Sequence, residues 1–118
     1  MVNVEAALVQ YLNGTGVVQA FTDVPADRPA QFVTVERTGG ALSSVVRDQV
    51  SLAVQVWGGT RYEASELALT VRDTITRSVF NIPGFARVRV EGLYNFPDPD
   101  SKQARYQLTV EVIARADY

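Results

Sequence analysis

The sequence contains no cysteine and no histidine. Their absence excludes disulfides, thiolate chemistry, nearly all zinc sites and every triad built on imidazole. Basic charge is also sparse: ten Arg and a single Lys, Lys102, are spread along the chain without a run, and the net charge is −2. Binding nucleic acid through phosphate neutralisation needs a clustered basic surface, so direct recognition of nucleic acid is not expected. No apolar stretch approaches the ~20 residues that a membrane span requires. Met1-Val2-Asn3-Val4-Glu5 lacks the basic and apolar regions of a signal peptide, and a chain made and folded in the cytoplasm is expected.

What is present fits one α+β domain over residues 1–118. Asn3 is placed to cap a helix whose stripe is Val4, Ala7, Leu8, Tyr11 and Leu12, stopped by Asn13-Gly14. Residues 17–22 are short and β-rich, and Pro25 and Pro29 bracket a loop. Residues 32–38 alternate, with Val33 and Val35 on one side and Thr34 and Glu36 on the other. Gly39-Gly40 is expected to open a loop to about Ser44. The clearest half-buried strand follows, with Val50, Leu52, Val54 and Val56 alternating against polar residues.

Gly58-Gly59 ends that strand, and Thr60-x-x-Glu63 is a capping box for a helix of about 60–79. Its stripe is Ala64, Leu67, Ala68, Val71, Ile75 and Val79, and Asn81-Ile82-Pro83-Gly84 stops it. Two further strands centre on Val88–Val90 and Tyr106–Val112. Keeping core residues opposite core residues allows Arg89 across from Glu111, or Glu91 across from Arg105; each joins opposite charges, worth roughly 0.2–1 kcal/mol. The order α-β-β-β-α-β-β then predicts a two-layer sandwich, a mostly antiparallel sheet of four or five strands with both helices on one face.

Reactive constellations are hard to assemble from this inventory. Asp98 and Asp100 sit two apart in a Pro-rich loop, but neither the bend glycine nor the closing Glu of a calcium loop follows. Turn chemistry explains them better. The glycine pairs match neither GxxxxGK[ST] nor GxGxxG, so they are not phosphate cradles. Neither metal, cofactor nor catalytic residue is expected, and the chain reads as a binding protein and not an enzyme. The excess of Arg over Lys suits protein–protein contact as well as it suits codon bias. Trp57 stands at the polar-face end of the strong strand, as an interface anchor or as packing under a nearby loop.

Several segments together resemble the tail-terminator proteins of long-tailed, siphovirus-type bacteriophages, especially those of actinobacteria. The resemblance rests on Arg28-Pro29, Val35-Glu36-Arg37 with Gly39-Gly40, Gln55-x-Trp57-Gly58, Tyr94-Asn95-Phe96-Pro97-Asp98 and Arg105-Tyr106-Gln107-Leu108, and covers about residues 20–113. It implies a small α/β sandwich that forms a ring, commonly of six copies, on the head-proximal end of the tail tube in the virion. Such a ring stops tube polymerisation and meets the head or neck connector, so the implied partners are copies of the chain, the major tail tube protein and a connector protein. Head-to-tail joining proteins of the neck are related, and that role is the alternative; a small ligand-binding α/β module is a more distant one, and an Asp-based metal hydrolase at Asp98 and Asp100 more distant still. A one-chain ring needs two different patches per subunit, and an open sheet edge could supply one by strand addition. The 39–47 and 95–103 loops are the candidate contacts to tube or neck, and the expected contact residues are Arg37, Arg47 and Trp57 first, then Arg28, Phe96, Asp98, Asp100 and Lys102.

Overall fold

The computed structural model of the chain describes residues 2–116. Helix α1 spans Val4–Thr15, and the Asn3 side chain accepts the Ala6 N–H at 3.1 Å, satisfying one of the donors a helix N-terminus leaves free. The helix passes through Asn13-Gly14 and ends one turn later on Gly16, whose φ of 73° is left-handed. Asn13 is therefore not a stop. Its side chain accepts the Ala20 N–H (2.8 Å) and donates to the Ala20 carbonyl (2.9 Å), clamping the two-residue strand β1, Ala20–Phe21, beside the helix.

Strand β2 runs Gln31–Ser44 and β3 runs Arg47–Gly58. Helix α2 spans Arg61–Thr76 behind the capping box, with both reciprocal bonds made: Glu63 N–H to Thr60 Oγ1 at 3.1 Å and Thr60 N–H to Glu63 Oε1 at 2.9 Å. A 3₁₀ turn over Arg77–Phe80 completes the predicted helix. Strands β4, Phe85–Asn95, and β5, Arg105–Arg115, close the sheet in the order β1-β2-β3-β5-β4, antiparallel except at β1 against β2. Arg89 lies opposite Glu111, which decides the register of the last hairpin. Glu91 is the bulged residue between Val90 and Gly92, so it cannot face Arg105, which pairs with Trp57 instead.

The core lies between the sheet and both helices. Val33, Val35, Val50, Leu52, Val54, Val56, Leu108, Val110 and Val112 meet Val4, Leu8 and Leu12 of α1 and Ala68, Val71 and Ile75 of α2. Full burial of each Val, Leu or Ile contributes about 1.5–3 kcal/mol, so this single cluster is the main force holding the two layers together.

A second expectation needs correcting. Gly39-Gly40 does not open a loop: β2 continues to Ser44, and the chain reverses at Val45-Val46. The result is a hairpin arm, and 14 residues at about 3.3 Å each account for the 43 Å long axis of a molecule only 26 × 25 Å across. Gly40 has φ 99°, and a Cβ there would stand 2.0 Å from the Gln49 carbonyl oxygen, so a residue that looked like a loop former is needed for close pairing of two strands.

Candidate interaction surfaces

Strand directions divide the predicted contact residues between two ends of the sheet. The loops 22–30 and 96–104 meet at one end, and the tip of the β2–β3 hairpin lies at the other, beside the end of β5. Arg28, Trp57, Phe96, Asp98, Asp100 and Lys102 belong to the first end; Arg37 and Arg47 belong to the second.

At the loop end Trp57 organises its surroundings from a buried position, 3% exposed. It lies on the sheet face opposite the helices and stacks on Phe32, its cross-strand partner, at 5.3 Å between centroids and 12° between planes. The guanidinium of Arg105 sits 4.7 Å from the Trp57 ring and 4.6 Å from the Phe96 ring, and that of Arg28 sits 5.2 Å from Trp57. Cations over aromatic faces at these distances are attracted by the ring quadrupole, most strongly where water is excluded. Arg105 also donates from Nε to the Phe96 carbonyl at 2.7 Å, and Arg28 donates to Gln103 Oε1 at 3.0 Å. Both loops are thus fastened to one indole. Arg105 is not among the expected contact residues, because its place beside Trp57 depends on pairing across 48 residues.

From Trp57 a hydrogen-bonded row crosses the outer face of the sheet. Trp57 Nε1 donates to Thr34 Oγ1 (3.2 Å), Thr34 to Gln55 Oε1 (3.3 Å), Gln55 Nε2 to Gln107 Oε1 (3.1 Å), and Gln107 Nε2 to the Tyr94 hydroxyl (2.6 Å). Four strands are tied by neutral groups that satisfy one another. Alternation in the sequence placed Thr34, Gln55, Trp57 and Gln107 on the polar face; the bulge at Glu91 brings Tyr94 there, and only the register aligned them.

Asp98 is largely buried and serves its own loop. Its carboxylate accepts the Ser101 hydroxyl at 2.5 Å and the N–H groups of Asp100 (3.3 Å) and Ser101 (3.4 Å), while its carbonyl accepts the N–H of Lys102, which has a left-handed φ of 58°. Asp100 and Lys102 are exposed on the same turn. The Ser101 hydroxyl above all holds the Asp98 carboxyl below its ordinary 3.8; burial opposes this, while the two N–H groups and the Arg105 charge reinforce it. A depressed carboxylate stabilises the fold above its unfolded pKa, and that stability is lost as pH falls through the lower folded-state value. Melting curves of the chain and of Asp98→Asn are therefore expected to differ at pH 6 and to converge below pH 3.8. An unchanged gap at low pH would show that the carboxylate charge is not what holds the loop.

At the arm end, Arg37 meets the buried Asp48 through two contacts of 3.3 Å, and its own N–H donates to Glu5 of α1 at 2.6 Å. These bonds anchor the base of the arm to the first turn of the helix. Arg47 is exposed beside the tip, opposite Arg115 of β5. Leu42, Val45 and Val46 are 54%, 87% and 45% exposed there.

A concavity between α1 and β1, about 360 Å³, is lined by Asn13, Gly16, Val17, Val18, Gln19, Gln31 and Leu67. Among the described residues no group of three or more acidic side chains is placed to hold a metal ion, and no helix is long and apolar enough to cross a membrane.

No family model matches the chain, and no curated protein matches it. Among solved structures 23 chains match. One is a chain in the virion of a native gene transfer agent (GTA) particle, with a TM-score of 0.71 at 12% identity over 95% of this chain and 94% of that one. At that identity the likeness is one of fold, and it runs essentially from end to end: the whole sandwich, not a fragment of it, recurs as a chain of a virion particle.

Proposed function

We propose that this chain is a structural virion subunit forming a ring, of six copies as in the tail-terminator proteins it resembles, at the head-proximal end of a phage-type tail tube. In this reading it stops growth of the tube and offers its other surface to the head or neck connector. The observation that carries the proposal is the full-length fold correspondence with a chain of a gene transfer agent virion. The sequence segments that resemble tail terminators supply the finer assignment. The work of such a subunit is shape complementarity, which suits a chain whose buried polar residues are committed to holding its own loops and sheet.

The test is genetic and structural. Particles lacking the chain are expected to carry tubes of irregular, overgrown length and heads without tails, seen by electron microscopy. Tubes of normal, uniform length beside detached heads would assign the joining role of the neck instead. Uniform tubes on attached heads would overturn both. In solution, light scattering of the purified protein is expected to give a multiple of 12.9 kDa, alone or once tubes are added.

A further inference from the structure

Helix α2 is apolar on two faces. Ala64, Ala68, Val71 and Ile75 face the core, yet Tyr62, Leu69 and Phe80 stand exposed at 70%, 40% and 84%. Seven residues return a helix to within about 20° of the same direction, so Tyr62 and Leu69 share one line along the solvent side, and Phe80 is exposed beyond them on the 3₁₀ turn. Acidic Glu66 and Asp73 fall between them at the same spacing. Glu66 makes no ion pair among the described residues, and Asp73 only a 4.0 Å contact with its exposed neighbour Arg72. A surface helix ordinarily keeps one apolar stripe, so a second one calls for a cover.

The arm tip carries the complementary pattern: Leu42, Val45 and Val46 exposed, with Arg47 beside them and in no ion pair among the described residues. Two valines at a reversal are costly locally. Hairpin turns favour Asn, Asp and Gly, and neither valine has a positive φ; the turn is held by Ser43 and Ser44 hydroxyls bonded to the Arg47 carbonyl and the Val46 N–H. Such a tip is explained if the valines are meant to be buried elsewhere.

We infer that the arm tip of one copy docks on the α2 stripe of the next, Val45 and Val46 packing on Tyr62, Leu69 and Phe80 with Arg47 set against Glu66 and Asp73. The occupant is a second copy of this chain because the two patches match in both respects, apolar on apolar and basic on acidic. They are also different patches, which is what a head-to-tail contact requires. Strand addition between copies is the less favoured contact. The free edge of β2 is bulged at Thr38 and Ser43, and that of β4 at Ala86 and Glu91, a device that blunts edge pairing.

This inference rests on the ring reading and sharpens it. The natural chain has no cysteine, so introduced cysteines report without background. Val45→Cys with Leu69→Cys in one chain is expected to give a ladder of covalent multimers on oxidation, reversed by reductant, while either substitution alone gives at most a trace of dimer. Arg47→Glu is expected to weaken self-association roughly tenfold, and Arg47→Glu with Glu66→Arg to recover most of it. Circular dichroism checks that each variant is folded. Protein whose mass shows an oligomer, but which yields no pair-specific ladder and no charge-swap recovery, overturns the docking and leaves the ring. A chain that stays monomeric at every concentration and on added tubes, and does not cross-link, overturns both.

Discussion

Replacing Trp57 by Ala is expected to cost about 3–5 kcal/mol, the usual range for deleting a buried aromatic side chain. For a domain of this size that corresponds to a fall in melting temperature of roughly 12–20 °C. The loss exceeds simple cavity formation because three neighbours use the indole at once: Phe32 stacks on it, and the guanidinium groups of Arg28 and Arg105 lie over it. Without the ring, the buried Arg105 is left with Phe96 and one carbonyl bond, and the loops 22–30 and 96–104 lose their common fixing point. Limited proteolysis is expected to cut both loops in the folded variant. Trp57→Phe separates the contributions, since it keeps a stacking face and loses only the bond to Thr34. Equal melting temperatures for the Ala variant and the natural chain would show that the stack is incidental.

Gly58→Ala is expected to be nearly as damaging, for a reason that lies in the backbone and not in any side-chain contact. Gly58 has φ 102°, and a Cβ there would stand 1.9 Å from the Ala30 carbonyl oxygen, while its N–H donates to the Ala104 carbonyl at 2.9 Å. The residue is gripped on both sides by backbone, so neither neighbour can give way without breaking the sheet next to Trp57. Strain of this kind costs of order 1–3 kcal/mol, and the steric overlap adds to it. A total of about 3 kcal/mol or more is expected from urea denaturation. Gly39→Ala is the matched control. Its φ is not left-handed and a Cβ there meets nothing within 4 Å, so a change within about 0.5 kcal/mol is expected.

The two glycine pairs show how unevenly the chain declared itself. By local signals Gly39-Gly40 opens a loop and Gly58-Gly59 ends a strand. Gly58-Gly59 does end a strand before a capped helix, and α2 formed where cap, stripe and stop agreed, all of them local features within a few residues. Gly39-Gly40 instead lies inside a strand. The arm's course is set by β3, which pairs with β5 without a break from Trp57 opposite Arg105 to Arg47 opposite Arg115. That pairing carries β3, and β2 with it, past the glycines to a reversal at Val45-Val46, a dipeptide with no turn signature. Local propensity lost to pairing between strands distant in sequence, Arg47 with Arg115 at the hairpin tip.

The candidate surfaces follow the same division. Alternation placed Trp57 on the polar sheet face, and that is where it is, but the groups that cover it, Phe32, Arg28 and Arg105, arrive from three distant segments. The exposed line on α2 had a local signal, Tyr62, Glu66, Leu69 and Asp73 at helical spacing, that the stronger core stripe concealed. Period-2 and period-3.6 patterning, caps and composition were determined by the sequence alone, because each depends on a residue and its near neighbours. The reach of the arm, the register that aligned the polar row and the two exposed apolar patches were decided only by tertiary structure. These depend on which strands meet and on where the helix layer stops covering them.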